Sequence, residues 1–554
     1  MLSCKEELAY LSGPKEPALL EQTIGQKFAE TVSSFQDRTA IKDAFAHLSY
    51  RELDQQSDAL ALGLLDLGIA QGDRVAISLG NSIANAVISY GCFKIGAIVT
   101  PLNPAYTPAQ VISALDHVSA KCFVLSTEIM LPYKQPKSAA PLLSAVLQGI
   151  ERSGFVSLLV DNSTNEAHKS EFKATAEYEM LLSSNQGRKL PVQDQLKHCD
   201  IASIQFTSGT TSTPKAACLT HRNVLNNGVL VGLGMELTES DIAFNVGAVV
   251  RSIKDDQPTV LHGVPTMFLA ELELIEKYSI NPDEIKHLRT GVIGGSPIPA
   301  SLRLALHEKL NLSNLTNCYG LTESSPIICQ TASTDTLEAK LNTVGRMLPH
   351  TSARIVARDD PTRTLKRGEK GELLISGYAV MKGYWKDEKR TSESFIVQEK
   401  EDGLKQIWLR TGDEALFRPD GYIQITGRIK DIIIRGGENI YPHEIENVLI
   451  QHPMVSNASV VGLPDGKYGE IIAAFVIVKT GIHTVENLEK EENRELKHTT
   501  LSQRDIQLWV QDRLPKMLVP RFVFWQERMP LTSSGKIEKY KLRQLGIRLL
   551  KYAD

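Results

Sequence analysis

Residues 205–221 read QFTSGTTSTPKAACLTH and gather seven hydroxyl side chains around one glycine, one proline and one lysine. A turn dense in Ser and Thr presents backbone N–H groups and hydroxyls together, which suits the oxygens of a phosphate. Lys215 would add a positive charge there, and Pro214 would restrict the backbone that precedes this lysine. Because neither Ser nor Thr follows the lysine, the stretch is not a Walker A loop. Taken alone, such a loop is more often a polar surface turn than a nucleotide site.

Three later stretches combine glycine, hydroxyl and charged residues in a similar way. They are NCYGLTESSP at 317–326, LRTGDEALFRPDGYIQITGRIKDIIIRGGENIYPHEIE at 409–446 and PLTSSGKIEKYKL at 530–542. Together with the loop at 205–221, and in this order, they resemble the adenylate-forming superfamily of acyl-CoA synthetases, peptide-synthetase adenylation domains and luciferases. The resemblance covers nearly the whole chain.

Two further stretches narrow the resemblance. GVPTMF at 263–268 and VMKGYW at 380–385 are most similar to the fatty and medium-chain acyl-CoA synthetases. The resemblance implies that a carboxylate attacks the α-phosphate of ATP, giving an acyl-adenylate and pyrophosphate, and that the thiol of coenzyme A then displaces AMP. Because the first step brings two anions together, positive charge and Mg²⁺ should dominate its catalysis.

The resemblance also implies roles for individual catalytic residues. Glu323 matches the glutamate associated with Mg²⁺, and a carboxylate oxygen is a suitable ligand for that ion. Thr322 would bond the α-phosphate, and Lys536 would reach the α-phosphate and the substrate carboxylate. The β- and γ-phosphates would be bound by the residues of the first loop, namely Thr207, Ser208, Gly209, Thr210, Thr211 and Lys215.

The nucleoside would be held by residues from the middle motifs. Tyr319 would stack on adenine, and the adenine's other side would face Gly294, Gly295 and Ser296, where glycine lets the backbone approach a flat ring. Asp413 would accept hydrogen bonds from the ribose hydroxyls. Arg428 would lie near the ribose and the phosphates.

Lys430 matches the family's hinge, so the resemblance implies that a small C-terminal domain alternates between two positions. One position presents Lys536 for adenylation, and the other presents RGGEN at 435–439 for thioester formation. Gly436 and Gly437 have no β-carbon, so the pantetheine arm of coenzyme A could pass close to the backbone. The same two glycines would also suit a plain tight turn.

The pattern departs from the family in two places. Ser212 and Ala216 stand where the phosphate loop usually has glycine; we expect this to weaken the motion of the loop more than to abolish binding. The connection between about residues 237 and 262 is shorter than in the family, which normally adds strands and part of the acyl-pocket wall there. A shortened isoform, a mispredicted gene product, a degenerate enzyme and a rebuilt acyl pocket are all compatible with this gap.

The order of local patterns predicts an α/β fold. Strand-like DRVAISL at 73–79 and helix-like TPAQVISALDHVSA at 107–120, which Thr107 can cap, belong to an alternating series with parallel strands. A β-rich segment follows later in the chain. We predict a large N-terminal AMP-binding and acyl-binding domain over 1–427 and a small, mobile α+β lid domain over 428–554.

Composition excludes several classes of partner. The 61 basic and 65 acidic residues leave a net charge of −4, which gives no electrostatic footprint for nucleic acid. The most apolar stretch, 82–102, contains Lys94 and predicts a buried helix and strand, not a transmembrane span. Seven dispersed cysteines without a C-x-x-C pair, and an N-terminus without a signal-peptide pattern, predict an intracellular protein, cytoplasmic or organellar.

We therefore expect an ATP-dependent acyl-CoA ligase that activates an aliphatic, fatty or polyketide-type acid, with secondary metabolism as one setting. Its partners would be the acid, ATP and coenzyme A, with Mg²⁺. Two alternatives stay open at this point: an adenylating enzyme that loads a carrier protein, and a catalytically impaired homologue that binds nucleotide or serves as an interaction protein. The oligomeric state is not predicted.

Overall fold

The fold was obtained as a computed structural model of the chain. It describes residues 8–43, 45–131, 135–163, 172–207, 215–245, 253, 255–295, 298, 300–399, 403–485, 500–532 and 536–551. Several predicted residues lie outside these ranges: Ser208, Gly209, Thr210, Thr211, Ser212 and Ser296.

The first sheet has eight strands, of which the first six in spatial order are parallel. In that order the strands are Ala176–Glu177, Val156–Val160, Cys122–Ser126, Arg74–Ser78, Ile98–Pro101, Ile201–Thr207, Lys215–Thr220 and Gly383–Tyr384. Its central strands are apolar on both faces: Val75 and Ile77 pack into one core, and Ala76 packs into another. Burial on both sides explains the nearly continuous apolar runs that the sequence shows there.

The helices cover the sheets, and several begin at a side chain that caps the first turn. Thr107, for example, accepts a hydrogen bond from the backbone of Gln110, as we predicted. The α-helices span Ile24–Phe35, Tyr50–Asp66, Ile83–Ile95, Pro108–His117, Ala140–Gly149, Tyr178–Ser184, His221–Gly234, Pro265–Lys277, Ala300–Leu310, Leu337–Asn342, Glu388–Ser394, Pro442–Ile450, Gln503–Gln511 and Lys539–Lys551.

The second sheet carries four parallel strands and two antiparallel ones. In spatial order they are Ala243–Asn245, Val260–His262, Thr290–Gly294, Asn314–Tyr319, Cys329–Gln330 and Arg346–Met347. Phe268 and Leu306, from two helices, pack with Ile293 of this sheet in one core.

The third sheet is wholly antiparallel and forms the β-rich part of the N-terminal region. Its strands are Tyr10–Ser12, Thr351–Val356, Gly371–Gly377, Lys405–Phe417 and Phe395–Glu399, and Ile423–Arg428 also pairs with Lys405–Phe417. Trp408 and Phe417 are almost completely buried in it.

The C-terminal part of the chain builds a separate sheet. Its strands are Glu438–Ile440, Ile433–Arg435, Gly469–Val478, Val455–Asp465 and Phe522–Trp525. Short ribbons complete the fold: Thr39–Lys42 with His47–Ser49, Glu128–Ile129 with Lys137–Ser138, and His483–Val485 with Thr500–Ser502. None of the helices in the described part of the chain combines the length and the apolarity that a bilayer crossing requires.

An ion pair between a buried carboxylate and a partly exposed arginine fixes one end of the short connection that follows Leu237. The Asp241 carboxylate accepts hydrogen bonds from Arg289, with Nε at 3.0 Å, and from the Thr259 hydroxyl at 2.6 Å. Although burial opposes ionisation, the hydrogen bonds from Arg289 and Thr259 hold the pKa of Asp241 below its ordinary value. The carboxylate thus ties the start of the edge strand Ala243–Asn245 to the residues that precede the next two strands of the second sheet.

Asp241→Ala should lower the free energy of unfolding by about 2 kcal/mol, because the charge-assisted hydrogen bond from Arg289 and the hydrogen bond from the Thr259 hydroxyl are lost. Urea denaturation of the purified chain measures this. Asp359→Ala is the matched control, since Asp359 is 83% exposed and pairs with Arg363 at 3.4 Å; it should cost less than about 1 kcal/mol. Equal effects of the two substitutions would contradict the assignment.

Candidate active site

A buried carboxylate lies where the second and third sheets meet. The side chain of Asp413 is only 6% exposed. Its Oδ2 accepts a hydrogen bond from the Tyr319 hydroxyl at 2.7 Å, and its Oδ1 accepts one from Arg428 Nε at 3.3 Å. Tyr319 ends a strand of the second sheet, whereas Arg428 is the residue paired with Asp413 in the third. The carboxylate is therefore held in one orientation by two different sheets.

The environment of this carboxylate also sets the protonation of its partners. Burial, and then the charge of Asp413, raises the pKa of Tyr319 far above its ordinary value, so its hydroxyl stays a donor. Burial raises the pKa of Asp413 as well, although Arg428 acts in the opposite direction. The positive charge of Arg428 is what favours the ionised carboxylate in this buried position.

Glu323 lies in the short 3₁₀ turn Thr322–Ser324, which follows the strand that ends at Tyr319. Its backbone carbonyl accepts a hydrogen bond from the N–H of Met381 at 2.9 Å. Its Oε1 accepts a hydrogen bond from the Tyr384 hydroxyl at 2.8 Å. The glutamate is thus anchored to the 380–385 segment by both its backbone and its side chain.

Lys215 also contacts the Tyr384 hydroxyl. Its Nζ donates to Tyr384 Oη at 3.3 Å and lies 4.9 Å from the centroid of the ring. Lys215 begins a strand of the first sheet, and the strand of Tyr384 is its neighbour. Burial lowers the pKa of Lys215, and the Glu323 carboxylate partly offsets this. One tyrosine therefore holds the lysine of the first loop beside the glutamate of the second motif.

Lys536 comes to this place from the C-terminal part of the chain. Its Cε lies 3.7 Å from the position that a β-carbon would occupy on Gly295. The charges of Asp413 and Glu323 act on its ammonium group, but burial and the neighbouring Arg428 lower the pKa of Lys536 on balance. The lysine therefore lies beside Gly295, within electrostatic reach of both carboxylates of the site.

The glycines at the end of the second sheet are required by close contacts. A β-carbon on Gly294 would lie 2.6 Å from the sulfur and 2.7 Å from the carbonyl oxygen of Cys318. Gly295 has a φ of +86°, a conformation that other residues rarely adopt. Glycine is therefore required at position 294 by the close approach to Cys318 and favoured at position 295 by the backbone conformation.

The remaining predicted residues occupy the edges of the site or the C-terminal sheet. Thr207 ends the strand that leads into the first loop, and Thr322 begins the turn of Glu323. The charge of Lys430, in the 3₁₀ turn Ile429–Asp431, acts on Lys215. Gly436 and Gly437 have φ values of +61° and +89° and join two strands of the C-terminal sheet beside Tyr468.

Comparison with known proteins identifies the family. The sequence profile described as AMP-binding enzyme matches residues 28–244 and 228–385, and the profile described as AMP-binding enzyme C-terminal domain matches residues 444–536. The chain belongs to the AMP-binding enzyme family. The predicted adenylate-forming resemblance is thereby confirmed.

Individual members of the AMP-binding family resemble the chain over nearly its whole length. The acyl-CoA ligase SID4 of Ajellomyces capsulatus is 37% identical, with 99% of this chain and 95% of the relative aligned. The mitochondrial medium-chain acyl-CoA ligase ACSF2 of Mus musculus is 32% identical over 97% of this chain and 89% of that protein. These relatives confirm the prediction of an enzyme of the AMP-forming acyl-CoA ligase class.

A solved structure supports the fold. ATP-bound MatB from Rhodopseudomonas palustris superposes with a TM-score of 0.77 and 22% identity, covering 96% of this chain and 100% of that one. The predicted α/β architecture, with a large N-terminal part and a small C-terminal part, is confirmed by this likeness and by the four sheets.

The donor set fits the Mg²⁺ that AMP-binding enzymes use with ATP. This ion is usually held by one or two carboxylates, while substrate phosphates supply further oxygens. Glu323 provides one half-buried carboxylate whose neighbour Tyr384 orients it. Among the described residues there is no cluster of three or more His, Cys, Asp or Glu that could hold a metal without a substrate.

Sequence reasoning missed Tyr384. Its motif, VMKGYW, supports the resemblance, but no role follows from the letters alone. Its partners Glu323 and Lys215 lie 61 and 169 residues away along the chain.

Ala216, where the family usually has glycine, is 1% exposed in a regular strand. Its backbone has a conformation that any residue adopts.

Tyr384→Phe should lower kcat/KM for ATP by about 10-fold, because the hydroxyl that joins Glu323 and Lys215 is lost while the buried ring remains. Steady-state kinetics with ATP as the varied substrate measures this. Tyr278→Phe is the control, since Tyr278 is 60% exposed at the end of a helix. An unchanged kcat/KM in the Tyr384 variant would show that the hydroxyl does not organise the site.

Proposed function

We propose that the protein uses ATP to activate an aliphatic carboxylic acid to its acyl-adenylate and then transfers the acyl group to coenzyme A. The observation that carries this proposal is the position of Lys536, beside Gly295 and within electrostatic reach of the carboxylates of Asp413 and Glu323. Three separate motifs meet there. The likeness to acyl-CoA ligases supports the same chemistry.

The nucleoside would be bound at the end of the second sheet. Asp413 is already oriented by Tyr319 and Arg428, so its carboxylate can accept hydrogen bonds from ribose hydroxyls without reorganising. Adenine would lie between the Tyr319 ring and the glycine turn at Gly294 and Gly295. The side chain of Arg428 is 53% exposed, so it can face the phosphates while it pairs with Asp413.

Adenylation would take place between Lys536 and Glu323. The acid's carboxylate attacks the α-phosphorus, the bond to the β-phosphate oxygen breaks, and pyrophosphate leaves. Lys536 would neutralise charge on the α-phosphate and on the acid, Thr322 would bond the α-phosphate, and Lys215 would bind the leaving phosphates with the loop it follows. Glu323 would bind Mg²⁺, and this ion would screen the negative charge of the phosphates.

Thioester formation would need a second arrangement of the lid. Lys430 lies in the short turn between the third sheet and the C-terminal sheet, so we propose that the lid, residues 428–554, rotates about it. Rotation would withdraw Lys536 and bring the turn of Gly436 and Gly437 to the adenylate. The thiolate of coenzyme A then displaces AMP.

The short connection after Leu237 supports a second candidate, a catalytically impaired homologue. The AMP-binding profile matches in two pieces that meet at 228–244. The alignment with the ligase of Ajellomyces capsulatus spans 593 positions, more than the 554 residues of this chain, so that relative has residues which this chain lacks. The organised carboxylates and Lys536 favour the active ligase.

Acid-dependent exchange of pyrophosphate into ATP tests the proposal. We expect exchange with one or more aliphatic acids from a panel, and about a 100-fold or larger loss in Lys536→Ala, because a positive charge at the reacting phosphate is removed. Fatty acids and polyketide-type acids are both included in the panel. A folded wild-type protein that shows no exchange with any acid would favour the impaired homologue.

The pH dependence of adenylation tests the role of Lys536 independently. Burial lowers the pKa of Lys536 below that of an ordinary lysine. Its ammonium group is therefore charged at low pH and loses its charge as the pH rises through this lowered pKa. The value of kcat/KM for ATP should therefore fall on the alkaline side. In Lys536→Arg, slower overall, this alkaline decline should disappear, since a guanidinium stays charged; its persistence would assign the decline to another group.

A further inference from the structure

Tyr441 of the lid lies against the N-terminal part of the chain, next to the active site. It directly precedes the helix Pro442–Ile450 and follows the 3₁₀ turn Ile429–Asp431 by ten residues. Its side chain is half-buried. None of the roles proposed above uses it.

The Tyr441 ring contacts two residues of the third-sheet region. The Lys370 ammonium lies 4.2 Å from the ring centroid, within the range of a cation–π interaction. A β-carbon on Gly427 would be 3.5 Å from Cδ1 of the ring, so the ring packs directly on the backbone there. The Glu414 carboxylate lies close to the tyrosine hydroxyl; burial, followed by the influence of this carboxylate, raises the pKa of Tyr441 to about 12.

The Glu414 carboxylate is rigidly held. Glu414 is 2% exposed, and its carboxylate is bound by the Thr426 hydroxyl at 2.6 Å and by the guanidinium of Arg358. It is paired across the strands with Gly427, and its chain neighbour is Asp413. Tyr441 thus docks one residue from the carboxylate that we assign to the ribose.

All three partners of Tyr441 precede the turn at 429–431, and Tyr441 follows it. A rotation of the lid about Lys430 would carry Tyr441 away from Lys370 and Glu414, whose positions are fixed in the third sheet. The same rotation would withdraw Lys536 from Gly295 and Asp413. The Tyr441 contacts and the Lys536 position therefore belong to one orientation of the lid.

We infer that Tyr441 is a positioning residue for adenylation: its contacts with Glu414, Lys370 and Gly427 hold the lid in the orientation that places Lys536 in the active site. The inference rests on the proposed two-step function. It requires that the substitution of Tyr441 change the two half-reactions unequally, because only one of them uses this orientation.

The two half-reactions can be measured separately on the full chain. Tyr441→Phe keeps the ring and removes the hydroxyl that lies near Glu414, so acid-dependent pyrophosphate exchange should fall by about 3- to 10-fold. Tyr441→Ala also loses the ring, and exchange should fall by about 10- to 100-fold. Thioester formation from added acyl-adenylate and coenzyme A should stay within about twofold of the wild type or increase. Equal losses in both half-reactions would overturn the inference.

Hydrogen–deuterium exchange of the free protein provides a readout that needs no activity. In Tyr441→Ala the amides of 366–372 and 438–446 should exchange faster than in the wild type. Tyr278→Ala is the matched control, because Lys277 lies 5.5 Å from the Tyr278 ring at an exposed helix end; it should change neither segment. Unaltered exchange in Tyr441→Ala would overturn the docking contact itself. A wild-type protein that is inactive with every acid would instead refute the proposed function. Hydrogen–deuterium exchange would still decide whether Tyr441 docks the lid.

Discussion

The buried carboxylate of Asp413 is the constraint on which the arrangement of the site depends. An ionised carboxylate removed from water is costly unless charged and hydrogen-bonding partners surround it. The second sheet supplies Tyr319 and the third sheet supplies Arg428, so both sheets must be placed correctly for the carboxylate to be satisfied. Lys536 of the lid completes the surroundings. One charge thus links three parts of the chain that fold around different cores.

The cations around the site repel one another in the absence of an anionic substrate. Arg428 lowers the pKa of Lys536, after the larger effect of burial, and Lys430 acts on Lys215 in the same direction. Such repulsion is unfavourable for the free protein. A triphosphate placed among these side chains would relieve this repulsion, which supports the nucleotide binding that we propose. The carboxylates of Asp413 and Glu323 act on Lys536 in the opposite direction, and Glu323 does the same for Lys215.

Much of the fold was predictable because its signals are local. The apolar strands of the first sheet, the helix capped by Thr107 and the glycine turn after Thr290–Gly294 each follow from a few neighbouring residues. The nucleotide-site residues came from the resemblance, and their roles stay predictions. Contacts between distant segments were beyond sequence reasoning: Tyr384 joins Lys215 to Glu323, and Arg289 meets Asp241, only after the sheets have assembled. The contacts of Tyr441 with Glu414 and Lys370 could not be predicted from the sequence either, because they form only when the lid packs against the third sheet.

The central claim is that the acid's own carboxylate attacks the α-phosphorus of ATP beside Lys536. A single-turnover reaction with an acid labelled with ¹⁸O in its carboxyl group, in the presence of ATP and coenzyme A, tests it most directly. Mass spectrometry of the products should find one labelled oxygen in AMP, because the bridging oxygen of the acyl-adenylate stays with the phosphate when the thiol attacks. Labelled oxygen in pyrophosphate or phosphate, or acyl-CoA formed with unlabelled AMP, would contradict the account.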